Sequence, residues 1–119
     1  MNADGVIVVY DVTDVDTFAN VKHWFKHVND CRSIDELPIV IVGNKIDLEN
    51  KVIMEHMSNT LSGQLGRHQH STSAKTGQGV AEMMVDIFEQ AYDYRKAKQE
   101  KIEKEYAEQI ANRKAISSS

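Results

Sequence analysis

The chain has 119 residues with 14 basic and 18 acidic side chains, a formal net charge of −4 that argues against wholesale nucleic-acid binding. A single cysteine, Cys31, excludes an internal disulfide and fits a reducing compartment, and no apolar run approaches the ~20 residues that span a bilayer. With 41% hydrophobic and 27% charged residues the composition is that of one small globular domain, and the first residues lack a signal-peptide pattern, so a cytoplasmic location is expected.

Residues 5–12 are apolar and rich in β-branched side chains, which predicts a buried strand. Asp14 or Asp16 can cap the helix that follows, whose apolar face is Phe18, Val21, Trp24, Phe25 and Val28. His23 and His27 lie four apart on that helix, but no third ligand is evident, so no metal site is expected. Residues 33–37 form a polar loop, and Pro38 opens the run Ile39-Val40-Ile41-Val42. That run does not alternate, which predicts a strand buried on both faces in a parallel sheet, with Gly43 ending the run and letting the backbone turn.

Asn44, Lys45 and Asp47 then fall in the loop beyond the strand's carboxyl end, where parallel strands deliver their ligands. An amide can donate and accept, a lysine stem can lie flat over a ring, and a carboxylate can accept two parallel N–H bonds. Together they can read a planar heterocycle. Residues 53–65 read as a helix with Met54, Met57, Leu61 and Leu65 on one face, stopped at Gly66. Residues 68–72 are a poor strand by composition. After a turn at 76–79 comes a helix with Val80, Met84, Ile87, Phe88 and Ala91 on its buried face. Residues 95–113 contain neither Gly nor Pro and continue the helix. Ile102, Tyr106 and Ile110 make a thin stripe there, which is either a solvated face or a docking strip for a partner helix or for the chain's own body. Residues 117–119, all serine, are expected to be disordered. Charge changes along the chain: residues 1–94 carry 7 basic and 14 acidic side chains (net −7), residues 95–119 carry 7 and 4 (net +3).

Asn44-Lys45-Ile46-Asp47 resembles the Asn-Lys-x-Asp guanine-recognition motif of Ras-like small GTPases. Ser73-Ala74-Lys75 resembles the Ser-Ala-Lys element that completes the base pocket in that family. Asp11-Val12-Thr13-Asp14, followed by Phe18, Asn20-Val21 and Trp24, resembles the strand-to-helix signature seen especially in Rab proteins. The resemblance covers residues 3–94 and corresponds to the C-terminal half of such a domain. It implies a partial Ras-like α/β fold with three parallel strands alternating with three helices, residues 68–72 supplying the third strand, and a long C-terminal helix extension. It implies two parts, residues 1–94 as the half-domain and 95–119 as a charged helical extension and tail. GTP or GDP is the implied ligand: Asp47 reads the base, Asn44 also ties the two base-binding loops together, and Lys45 and Lys75 cover the ring. Ala74 offers its N–H to the guanine carbonyl oxygen, and Ser73 braces its loop.

No Gly-x-x-x-x-Gly-Lys-Ser/Thr loop is present to cradle phosphates and place a hydroxyl on Mg²⁺, and none of the nine aspartates begins an Asp-x-x-Gly. The resemblance therefore implies a truncated GTPase that keeps guanine recognition, binds GTP or GDP weakly or not at all, and does not hydrolyse GTP on its own. Mg²⁺ is expected only with a missing N-terminal half. A C-terminus of serines without cysteine implies no lipid anchor by prenylation. The partners implied are guanine nucleotide and effector or regulator proteins, in membrane traffic or signalling, with no nucleic acid. Strand 5–12, lacking the neighbour it has in relatives, is expected to expose an edge through which copies self-associate. The alternative is a non-catalytic interaction module that acts through its C-terminal helix.

Overall fold

The computed structural model describes residues 4–31, 34 and 36–117, with side chains through residue 113. Strands β1 (Val6–Asp11), β2 (Ile39–Asn44) and β3 (His68–Ser71) alternate with helices α1 (Val15–Cys31), α2 (Glu55–Leu65) and α3 (Val80–Ser117). The strands form one parallel sheet in the order β1-β2-β3. Parallel neighbours need a crossover connection, and α1 and α2 provide the two required here. No helix among the described residues is long and apolar enough to cross a membrane.

The unbroken apolar run of β2 has a direct cause. Ile39 and Ile41 face a core built with Tyr10, Val21, Phe25 and Leu61, while Val40 and Val42 face Met83 and Ile87 of α3. All four are buried, so neither face of the strand tolerates a polar residue. Gly43 corrects the expectation of a turn. It lies inside β2, paired with Tyr10, and a Cβ built on it would come within 2.6 Å of the Tyr10 hydroxyl. Glycine is needed there because the Tyr10 ring lies against the backbone; that hydroxyl hydrogen-bonds Ser58. The backbone turns two residues later, at Lys45, whose φ is +69°.

α1 starts after Asp14, whose Oδ1 accepts the Asp16 N–H at 2.9 Å. Val21 and Phe25 are buried, with Phe18, Trp24 and Val28 packed against them. α2 begins at Glu55 rather than at 53, because the Val52 and Ile53 N–H groups both donate to the Val12 carbonyl, at 2.8 and 3.0 Å. That ties the segment to the end of β1 and turns Ile53 inward, leaving Met54 exposed. Gly66 ends the helix in a left-handed cap.

β3 is held by polar contacts, which explains its composition. His68 Nδ1 and His70 Nε2 approach Asp86 Oδ2 of α3 at 2.9 and 2.6 Å, and Gln90 Nε2 donates to Asp86 Oδ1 at 2.8 Å. Burial pushes the Asp86 carboxyl up, but the hydrogen bonds from His70, Gln90 and His68 outweigh it and hold it at about 2.

α3 buries Met83 and Ile87 on β2, with Val80 and Met84 beside them. Phe88, expected on the buried face, is 62% exposed. It lies about 100° around the helix from Ile87, on the side away from β2. Among the described residues β1 pairs only with β2, and Ile7 and Val9 are exposed. α3 continues beyond Tyr94 without a break to Ser117, past the expected end near 113, and stretches the described chain to 74 × 29 × 22 Å. Ser117, expected to be disordered, is its last residue; 118 and 119 lie outside the described residues.

Gly43→Ala should destabilise the chain by ~1–3 kcal/mol through overpacking against Tyr10. Gly63→Ala, where nothing lies within 4 Å of the new methyl group, should stabilise it by ~0.5–1 kcal/mol through helix propensity. Urea unfolding of both variants measures the contrast.

The depressed Asp86 carboxyl stabilises the fold above the ordinary carboxylate range, and that contribution disappears as pH falls from ~4 toward ~2. Asp86→Asn should therefore unfold at lower temperature than the parent at pH 7, and the gap between the two melting curves should close toward pH 2.

Candidate functional site

Because the three strands are parallel, their carboxyl ends share one edge of the sheet, and the loops after β2 and β3 leave it side by side. Backbone bonds lock them together: the Thr72 N–H donates to the Gly43 carbonyl at 2.8 Å, and the Ile46 N–H to the Thr72 carbonyl at 3.2 Å. The loop after β3 closes on itself, the Ser73 N–H donating to Gln78 O at 2.9 Å and the Gly77 N–H to Ser73 O at 2.8 Å. Gly79, at φ +74°, brings the start of α3 so near that a Cβ would sit 2.2 Å from Ser71 O.

Asn44 Oδ1 accepts the Ala74 N–H at 3.0 Å and the Thr72 hydroxyl at 3.2 Å, so one amide oxygen ties the two loops. The Ser73 hydroxyl donates to Asp47 Oδ1 at 2.7 Å and accepts the Thr76 N–H at 3.1 Å. Ser73 itself is fully buried. Its hydroxyl beside Asp47 holds that carboxyl below the usual carboxylate range. A hydrogen bond from the backbone N–H of Asp47 itself acts in the same direction. Lys45 Nζ forms an ion pair with Asp11 Oδ2 at 2.8 Å. The Lys45 ammonium, with the Thr13 hydroxyl and N–H on Asp11 Oδ1, holds the Asp11 carboxyl at about 2. In return Asp11 raises the Lys45 ammonium.

Asn44, Lys45, Asp47, Leu48, Ala74 and Lys75 line a cavity of about 320 Å³. Five of the six residues singled out from the sequence thus face one space, and the sixth, Ser73, braces it from below. Sequence reasoning missed three contributors. Asp11 was legible only as part of a strand-to-helix signature, yet it anchors the Lys45 ammonium. Thr72 stood out only as the end of the third strand at 68–72, yet it shares the Asn44 oxygen. Leu48, directly after Asp47, is exposed in the structure and carried no signal in the sequence. One geometric detail departs from the implied roles: the Ala74 N–H is given to Asn44, so a base carbonyl must share or displace that bond. Among the described residues no group of three His, Cys, Asp or Glu side chains is placed to hold a metal ion.

The Ras family model matches residues 1–93, nearly four fifths of the sequence. This chain belongs to the Ras family. Its three parallel strands and three helices form a partial Ras-like α/β fold. It is 41% identical over 85 residues to Ras-related protein SEC4 of Saccharomyces cerevisiae, covering 71% of this chain and 39% of that protein. It is 38% identical over 90 residues to Ras-related protein Rab-21 of Mus musculus (72% and 39%). It is 35% identical over 88 residues to Ras-related protein RabH of Dictyostelium discoideum (74% and 44%). The chain therefore spans about two fifths of the length of these relatives, and the match to the family model ends inside α3, which runs on to Ser117.

Lys45→Ala should raise the Asp11 carboxyl from about 2 toward the ordinary range, because the ammonium that favours its charged form is gone. Ser73→Ala should raise the Asp47 carboxyl in the same way. Carbon-detected NMR titration of the two carboxyl groups reads both shifts.

Proposed function

We propose that residues 44–47 and 73–75 read the guanine base of GTP or GDP, as the base-recognising part of a Rab-like small GTPase switch acting in membrane traffic or signalling. The carrying observation is the pair of loops tied through Asn44, with the Asp47 carboxylate braced by Ser73 at 2.7 Å and open to a cavity that Lys45 and Lys75 flank. Guanine offers a ring N–H and an amino group side by side, which one carboxylate can accept together. Adenine lacks that pair of donors and would leave Asp47 desolvated without a partner, a larger penalty than a missing apolar contact. The lysine stems suit the two faces of the ring, and the Ala74 N–H suits the carbonyl.

Residues 1–94 would then be the C-terminal half of the GTPase domain and 95–119 a charged helical extension. Phosphate and Mg²⁺ contacts are assigned to the part of the family fold that these residues do not match, and GTP hydrolysis is not expected from these residues alone. Affinity should be low. A good base-edge contact is worth ~1–3 kcal/mol, whereas millimolar binding already requires about 4 kcal/mol. Effector and regulator proteins belong to the same reading.

A second reading, a pseudo-GTPase fragment acting as an interaction module, is favoured by the exposure of Ile102, Tyr106 and Ile110 along α3. Exposed Ile7 and Val9 on the unpaired edge of β1 support self-association through residues 5–12 as another contact of such a module.

Titration of the isotope-labelled chain with GDP, with ATP as control, tests the base-reading role. Saturable shifts of residues 44–47 and 73–75 with GDP but not ATP, abolished by Asp47→Asn, are the expected result. A folded chain whose spectrum ignores GDP up to about 10 mM would overturn it.

A further inference from the structure

The large apolar side chains exposed on α3 are Val85, Phe88, Tyr92, Ile102, Tyr106 and Ile110, at 36–67% exposure. Their positions are not scattered. With Arg95 and Gln99 occupying the two intervening places, steps of three and four residues alternate without a break from Val85 to Tyr106. A strict seven-residue repeat is the seam of a two-stranded coiled coil, narrower than the face a helix presents to a sheet. α3 uses a different face for its sheet, through Met83 and Ile87. The seam also runs continuously from the part of α3 that lies on the body into the part that projects from it.

Charge selects the occupant. Beside the seam, Lys96 and Lys98 precede Ile102, and Glu103 and Glu105 follow it; none of the four forms an ion pair among the described residues. A helix whose flanks are basic at first and acidic afterwards complements itself when a second copy runs the opposite way. The geometry points to an antiparallel pairing of α3 with α3 of a second copy of this chain, with Gln99 of each facing Ile102 of the other. In that register Lys96 faces Glu103 and Lys98 faces Glu105, and the two-fold axis repeats each attraction. Arg95, whose only ion-pair contact among the described residues is a 3.8 Å approach to Asp4, lies over the Tyr106 ring of the second copy as a cation over an aromatic face. The parallel alternative sets Arg95 against Arg95 and keeps only Lys98 with Glu103. Residues beyond Tyr106 of one copy then cover Tyr92 and Phe88 of the other. This deepens the interaction-module reading above and involves no nucleotide, so loss of guanine recognition leaves it standing.

Sedimentation equilibrium of the 119-residue chain should show a monomer–dimer equilibrium. The double variant Ile102→Ala, Tyr106→Ala should weaken it by about tenfold or more, with helicity followed by circular dichroism. A chain carrying Lys96→Glu and Lys98→Glu, and another carrying Glu103→Lys and Glu105→Lys, should each be monomeric alone and pair when mixed. Direction is read on a Cys31→Ser background: a chain with Lys96→Cys should form a disulfide with one carrying Glu103→Cys, while Glu103→Cys alone should not self-link. A helical monomer at all concentrations overturns the proposal. So does a dimer that survives the Ile102, Tyr106 variant but is lost in Val9→Lys, which would place the contact at the β1 edge. A Glu103→Cys self-link overturns the antiparallel arrangement.

Discussion

The structure depends on β2 being covered on both faces. Ile39 and Ile41 require the core beneath α1 and α2, Val40 and Val42 require α3, and the parallel neighbours β1 and β3 complete its ladders. A strand buried this completely cannot slip by one residue without exchanging both cores. Its register therefore fixes where Asn44 leaves the sheet, and from there the placement of Lys45 and Asp47. The Tyr10 ring against Gly43 belongs to the same constraint, since it sets β1 and β2 to one height next to the candidate site.

From that fixed edge the candidate site is assembled by short polar links rather than by burial. Asn44 joins the loops through one amide oxygen, Ser73 carries Asp47, and Asp11 carries Lys45. Asn44, Asp47 and Lys45 are thus each held by a residue from another element. Such supporting contacts restrict rotamers before a ligand arrives, which reduces the ordering cost of binding. The Asp47 carboxylate and the lysines Lys45 and Lys75 border the cavity, and their chemistry suits a planar ring with adjacent donors.

α3 serves two environments. Its first turns lie on β2 and, through Asp86 and Gln90, hold the polar strand β3; its later turns carry exposed Ile102, Tyr106 and Ile110 among charged side chains. An element continuous over both regions couples them mechanically, because the helix has no Gly or Pro to act as a hinge beyond Tyr94.

The sequence by itself determined the elements whose pattern is local: the run of β2, the Val21 and Phe25 face of α1 and the stop at Gly66, while the cap of α1 stayed open between Asp14 and Asp16. It also made the six candidate residues readable, because they lie in two short stretches with distinctive side-chain chemistry. Only the tertiary structure decided the rest. β3 has no apolar signature, since its partner Asp86 is sixteen residues or more away along the chain. The reason for Gly43 is a ring from another strand. Asp11 meets Lys45 only because β1 and β2 are parallel and in register. Phe88 shares its helix with Ile87 but faces away from β2, since which side of a helix is covered depends on the neighbours that pack there, and those the local pattern does not contain.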